Sequence, residues 1–293
     1  MRSSYYSKVI LFGEYSMIFD ATALMVPLQK FSARWKLGKL TVSRAKKSNE
    51  NICLFRDYLA ERKEFKKFMD IEMLSHDLNF GLNLSSNVPS GYGLGSSGTL
   101  VAAVYDRYAK RHIDDLMQLK TIFGEMESYF HGSSSGIDPL QCYLGKPFCI
   151  SPKGVELVNE GFLKKDIHVC LIDTKIKSNT RPLVEHFKEQ RQDGAFLSAF
   201  QQKYVPHVTD CINSLVDGAN EAFFASLAQL TKAQVQFLRP MITENTLPLF
   251  ERDYDFHFGV KISGSGGGGY VLGFTDDTEK ASRLLADFDV IWI

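Results

Sequence analysis

The run Pro89-Ser-Gly-Tyr-Gly-Leu-Gly-Ser-Ser-Gly-Thr99 passes straight into the apolar-periodic residues Leu100 to Tyr108, so a glycine-rich loop feeds the start of a helix. That arrangement suits a phosphate. Gly91, Gly93 and Gly95 place no side chain between backbone amides and an approaching anion, and Ser96, Ser97 and Thr99 add hydroxyls. The first N–H groups of a helix have no partner inside it, and the positive end of the helix dipole points the same way. A glycine-rich turn that merely caps a helix has the same wording, so chemistry has to be argued from further segments.

Several phosphate-binding classes are excluded. A Walker loop needs Lys and then Ser or Thr after its last glycine, whereas Gly38-Lys39 continues into Leu40 and Gly145-Lys146 into Pro147. Protein kinases need His-Arg-Asp and Asp-Phe-Gly, and neither occurs, since Asp287-Phe288 continues into Asp289. The formal dinucleotide match at Gly264-Ser-Gly-Gly-Gly-Gly269 precedes Tyr270-Val-Leu-Gly-Phe274, a strand pattern, where that fingerprint must open a helix.

Two more segments complete a constellation. Tyr6-Ser-Lys-Val-Ile-Leu-Phe-Gly-Glu-Tyr15 is a β-rich run closing on a glycine and a carboxylate, and Lys261-Ile-Ser-Gly-Ser-Gly-Gly-Gly-Gly-Tyr-Val-Leu-Gly273 is a glycine bridge between two strand patterns. Together with Pro89 to Thr99 they resemble, in order, the three signature motifs of the GHMP kinases, the small-molecule kinases of galactose, homoserine, mevalonate and phosphomevalonate. A fourth segment, Glu127-Ser-Tyr-Phe-His-Gly-Ser-Ser-Ser-Gly-Ile-Asp-Pro139, resembles the catalytic-aspartate motif of the mevalonate kinase branch. The wording Phe-Gly-Glu-Tyr and Gly-Tyr-Gly is similar to the compact mevalonate kinases of the Bacteroidetes type.

The resemblance implies an α+β fold: an N-terminal ribosomal-protein-like domain over 1–179, a C-terminal ferredoxin-like domain over 180–293, and an active site in the cleft between them. It also implies ATP and Mg²⁺ as cofactors and transfer of a phosphoryl group to the primary hydroxyl of mevalonate. Such transfer needs the triphosphate held in line, its charge neutralised and the hydroxyl deprotonated. By resemblance Asp138 is the base and Lys8 its cationic companion. Pro89, Gly91, Gly93, Leu94, Gly95, Ser96, Ser97 and Gly98 cradle the nucleotide, and Ser97 and Glu127 hold the magnesium with hard oxygen donors. Glu14, Tyr15, Gly136, Ser263, Gly264 and Gly266 fall on the substrate side.

Alternatives accompany these residues. Gly-x-Asp-Pro is also ordinary turn chemistry for Asp138, a strand-edge lysine is usually just solvated, and His131 beside Gly132 reads as a helix C-terminus as well as a ligand. Glu125, two residues from Glu127, faces another side of the same helix and reads as surface. Tyr15 departs from the family's histidine: a phenol can hydrogen-bond but carries no charge to a carboxylate. The small-Pro-Gly expected before the lysine is replaced by Tyr5-Tyr6-Ser7. Another GHMP substrate, phosphomevalonate or a sugar, remains open, as does a ligand sensor of the same fold, although a sensor has no use for a base.

At 293 residues the chain can bury a sizeable core. Lys plus Arg equals Asp plus Glu at 34 each, so no basic excess points to nucleic acid or an anionic membrane. No apolar stretch approaches the roughly 20 residues of a membrane span, and Met1-Arg-Ser-Ser-Tyr-Tyr-Ser lacks a signal-peptide core, so a cytoplasmic monomer or homodimer with a small-molecule partner is expected. The five cysteines lack metal-binding spacing and read as free thiols.

Periodicity predicts strands at 7–12, 22–28, within 30–45, at 79–86 and at 167–173, and helices at 97–110 and 114–130. Long helical patterns follow at 181–203, 206–217 and 220–238, the last stopped by Pro240. The chain closes with strands at 258–263 and 269–274, a helix at 277–287 and a strand at 288–293. Residues Glu61 to Lys67 read as a solvated helix face, and the residues after Gly132 as a loop that carries Asp138.

Overall fold

The computed structural model describes residues 2–38, 43–163 and 166–293. Strands β1 (Tyr5–Phe12) and β2 (Ala23–Leu37) are followed by helices α1 (Ser43–Ala60), α2 (Lys63–Phe68) and α3 (Ile71–Asn79), then by β3 (Leu82–Ser86), which leads to the glycine-rich loop. Helices α4 (Ser96–Tyr108), α5 (Leu116–His131) and α6 (Ile137–Leu144) come next, with β4 (Phe148–Ser151), β5 (Gly154–Leu157) and β6 (His168–Asp173) after them. Helices α7 (Thr180–Gln190), α8 (Gly194–Lys203), α9 (Val205–Asp217) and α10 (Asn220–Leu238) run consecutively. The last elements are α11 (Leu247–Glu251), β7 (Phe258–Ile262), β8 (Tyr270–Thr275), α12 (Thr278–Leu284) and β9 (Val290–Trp292). The fold is α+β, as the segregated strand and helix patterns imply.

Packing groups the chain into two compact units: Met1–Lys8, Pro27–Pro89 and Leu94–Lys146 form one, and Val9–Val26, Ser90–Gly93 and Pro147–Ile293 the other. A single boundary at 179/180 stays an expectation of the resemblance. In the first unit the distal half of β2 pairs antiparallel with β3, from Ala33 opposite Ser86 to Leu37 opposite Leu82. Ile52, Phe55 and Leu59 of α1 are buried, as are Val101, Val104 and Tyr105 of α4 and Phe123 and Met126 of α5. Each such side chain stabilises the fold by roughly 1.5–3 kcal/mol through lost apolar exposure. Buried Asn49 donates to the carbonyls of Leu78 and Leu82, which fixes α1 against the start of β3.

In the second unit the first residues of β2 pair with β4, which turns back into β5. A second sheet, ordered β7-β8-β6-β9 with antiparallel pairs throughout, packs against α10. Leu227, Leu230, Gln234 and Phe237 recur at helical spacing on the buried face of α10, and Thr231 Oγ1 donates to Val260 O at 2.6 Å. The cysteines are free thiols, as their spacing suggested.

Most elements follow the periodicity, and the departures have physical causes. Strand within 30–45 ends at Leu37, and residues 43–45 open a helix; residues 39–42 of that prediction lie outside the described residues. The pattern at 181–203 is two helices, because Asp193 accepts a hydrogen bond from Ala195 N and starts α8 afresh. Residues 79–81 belong to the end of α3 and its turn, and α12 stops at Leu284 rather than 287. The segment expected as a catalytic loop becomes helical at Ile137, so Asp138 sits in a first helical turn. Pro139 is tolerated there because early helical N–H groups have no intrahelical partner to lose.

Candidate active site

Helix α4 begins at Ser96 with Gly95 as its N-cap at φ 74°, and no side chain caps it. Thr99 N donates to Gly95 O, which leaves the amides of Ser96, Ser97 and Gly98 without intrahelical acceptors. Leu94 is buried, Pro89 half-buried, and Lys8 N donates to Leu94 O at 3.3 Å. A Cβ on Gly95 would lie 2.9 Å from Lys8 Cγ and 3.4 Å from its Cε, so the glycine makes room for the lysine stem beside the helix start. Lys8 Nζ meets Asp138 Oδ2 at 2.9 Å; the lysine side chain is 5% exposed and the aspartate 32%. The carboxylate is thus held by a buried cation while its outer side stays open to a reactant.

Three helices fix that pair. Gly136 N-caps α6 at φ 74°, and a Cβ on it would come within 1.9 Å of Lys120 O and 2.6 Å of Gly124 N, so close approach of the loop to α5 alone requires glycine. On the other side, a Cβ on Gly98 would lie 3.0 Å from the Asp138 carbonyl carbon and Pro139 N, which seats α4 directly on the first turn of α6.

Glu127 is buried in α5, whereas Glu125 is exposed. Ser97 Oγ donates to Glu127 Oε1 at 2.7 Å, and Ser134 Oγ donates to Oε2 at 2.5 Å. Burial, and then the nearby Asp138 charge, push the Glu127 carboxyl up to about 7 against these hydrogen bonds and Lys8. A hydroxyl and a buried carboxylate in direct contact are hard oxygen donors of the kind Mg²⁺ takes, and a cation there would relieve the carboxylate's lost hydration. The donor set therefore fits the metal that the motifs imply. His131, the last residue of α5, places Nε2 3.0 Å from Ser97 Oγ, while Gly132 provides the cap at φ 77°. The sequence signal for this contact is the i+4 spacing of His131 from Glu127, which a helix end beside Gly132 masks.

The second unit holds the remaining expected residues as a separate group. Lys261 Nζ donates to Glu14 Oε1 and to Ile262 O, both at 2.6 Å, and both side chains are essentially inaccessible. Burial pushes the Glu14 carboxyl up and the Lys261 ammonium down, with each partner opposing the other's shift. The Gly264 backbone also opposes the rise of the Glu14 carboxyl. Tyr15 adopts φ 60°, donates its hydroxyl to Ser265 O at 2.8 Å and packs its ring 4.6 Å from Phe187. Gly266 N closes the turn on Ser263 O, and Gly266 O accepts from Ser178 Oγ. The loop tip joins this group: Gly91 O accepts from Ser178 N, the Tyr92 backbone lies against Gly269, and Gly93 follows at φ 70°. A lysine inside the otherwise apolar strand Phe258–Ile262 is the sequence signal for this buried pair.

Residues 59–146 match the family model described as the GHMP kinases N terminal domain. Within those bounds the chain is similar to the N-terminal domain of the GHMP kinases. The matched GHMP segment includes Ser97, Glu127, His131 and Asp138 and begins after Lys8. A mevalonate kinase of Methanocaldococcus jannaschii is 26% identical over 97% of this chain and 94% of that protein. The D-glycero-alpha-D-manno-heptose 7-phosphate kinase of Campylobacter jejuni is 24% identical over 71% of this chain, which spans 65% of that enzyme. A crystal structure of Streptococcus pneumoniae phosphomevalonate kinase in complex with phosphomevalonate and AMPPNP superposes with a TM-score of 0.66 at 16% identity, covering 99% of each chain. At that identity the likeness establishes the GHMP kinase fold. No described helix is long and apolar enough to cross a membrane.

Proposed function

We propose that this chain transfers the γ-phosphoryl group of ATP to the primary hydroxyl of a small alcohol, with mevalonate as the first candidate and 5-phosphomevalonate as its product. The Lys8–Asp138 pair beside the uncapped start of α4 carries this reading. Asp138 accepts the hydroxyl proton as the alcohol oxygen bonds to the γ-phosphorus and the bond to the ADP oxygen breaks. Lys8 offsets the negative charge that develops on the attacking oxygen. The amides of Ser96, Ser97 and Gly98 and the glycines of the loop take the phosphates, and Ser97 and Glu127 hold Mg²⁺, which when bound neutralises phosphate charge. Glu14, Tyr15, Gly136, Ser263, Gly264 and Gly266 are assigned to the alcohol side, and the chain divides near 179/180 into the two family domains.

Mevalonate is supported by the archaeal relative, and ATP by the pneumococcal enzyme's complex with AMPPNP. A second reading, a sugar as acceptor, is favoured by Tyr15: its hydroxyl is committed to Ser265 O and Lys261 is committed to Glu14, so this group offers no free cation to a substrate carboxylate. The Campylobacter relative supports it too. ADP release measured at saturating ATP and Mg²⁺ over mevalonate, phosphomevalonate, galactose and homoserine decides between them. Mevalonate should lead by about a thousandfold in kcat/KM, as expected when a wrong substrate leaves a buried polar group unpaired. A faster sugar or phosphomevalonate moves the substrate, and ATP binding with no turnover favours a sensor.

A further inference from the structure

We infer that His131 is a positioning residue for Ser97, holding its hydroxyl so that one lone pair faces outward for a metal or phosphate oxygen. The inference follows from proton counting. Ser97 Oγ donates to Glu127 Oε1 at 2.7 Å while Ser134 Oγ donates to Oε2, so the single Ser97 hydroxyl proton is spent on the carboxylate. The 3.0 Å contact from His131 Nε2 to the same Oγ then requires the imidazole to donate, which fixes the proton on Nε2. One of the two Ser97 lone pairs is occupied by that N–H, and the other remains.

The helix supplies both arms. Glu127 and His131 are four residues apart in α5 and lie on one face, one turn above the other. Ser97 sits in the uncapped first turn of α4, so a rigid helix reaches across to it from acceptor and donor sides at once. Ser134 Oγ engages the second Glu127 oxygen, which keeps the carboxylate from rotating away from Ser97. Gly132 already ends the helix at φ 77°, with its own N–H on Ser128 O, so His131 is not needed as a cap.

This rests on the reading of Ser97 and Glu127 as magnesium ligands, and the test separates the two. Long-range ¹H–¹⁵N NMR of the histidine rings at about pH 8, with His131 identified through His131→Gln, should show the Nε2–H tautomer in the metal-free protein, and Ser97→Ala should shift that resonance. Calorimetry with ATP should show His131→Ala losing about tenfold in affinity for the magnesium complex, the low end for the partner of a metal ligand. Affinity for metal-free ATP should be unchanged, and His131→Gln, which keeps a donor, should recover most of the loss. An Nδ1–H tautomer overturns the inference, as does wild-type magnesium-ATP affinity in His131→Ala or an equal loss for metal-free ATP. A wild-type protein that binds no magnesium-ATP removes the kinase reading, and the tautomer still decides the contact.

Discussion

A Cβ added to Gly95 would lie 2.9 Å from Lys8 Cγ, so the glycine that starts α4 and the lysine that holds Asp138 share one space. Gly95→Ala therefore acts twice. The left-handed backbone at φ 74° costs about 1 kcal/mol for alanine, and the methyl group pushes Lys8 off its line to Asp138. Thermal unfolding should show a small loss, whereas turnover should fall by about a hundredfold, the scale of an ångström-sized misplacement. Turnover that falls only in proportion to stability would separate Gly95 from the chemistry.

Asp138→Asn keeps volume and the first turn of α6 but removes the acceptor. ATP binding should persist, and turnover should drop by at least about a hundredfold, the low end for a lost general base. Near wild-type turnover would move proton abstraction to another group.

If Glu127 holds the metal as proposed, metal binding is tied to pH. Its folded carboxyl titrates at about 7, against roughly 4.3 when unfolded. Between those values the folded state binds more protons, so stability is present at the acid end and is lost as pH rises to about 7, then stays level. In the absence of Mg²⁺, Glu127→Gln should remove that decline and be more stable than wild type at about pH 8 by on the order of 2–3 kcal/mol in urea unfolding. The same substitution should raise the Mg²⁺ concentration for half-maximal rate, and Glu125→Gln should leave both quantities unchanged. Identical behaviour of the two variants would remove Glu127 from the metal site.

Lys261→Met leaves the Glu14 carboxyl buried without its cation and should cost about 3–5 kcal/mol in urea unfolding. Adding Glu14→Gln should restore a large part of that loss, because the uncompensated charge disappears. A single variant as stable as wild type would mean that the pair is not ionic.

Local pattern sufficed where one face of an element is buried by neighbours in the same unit. The stripe Phe223, Leu227, Leu230, Gln234 and Phe237 marked α10 to the residue, and strands β7 and β8 were bounded by the glycines between them. It failed for α1, a polar helix in which Asn49, Ile52, Phe55 and Leu59 carry the burial amid charged neighbours, and for α6, whose Gly136 and Pro139 look like a turn. In both, packing outweighs propensity: α1 is pinned through Asn49 to Leu78 and Leu82, and α6 is clamped between Gly98 and Gly124.

The sequence by itself determined which residue types were available for phosphate, base and metal chemistry, because glycine spacing and helix-start hydroxyls act over a few bonds. Only the tertiary structure decided which of them meet. Lys8 and Asp138 are 130 positions apart, and Glu14 and Lys261 are 247, so their pairing depends on close backbone approaches and on burial that strengthens opposite charges. The crossing of α5 over the start of α4 likewise made His131, a helix end, a hydrogen-bond partner of Ser97.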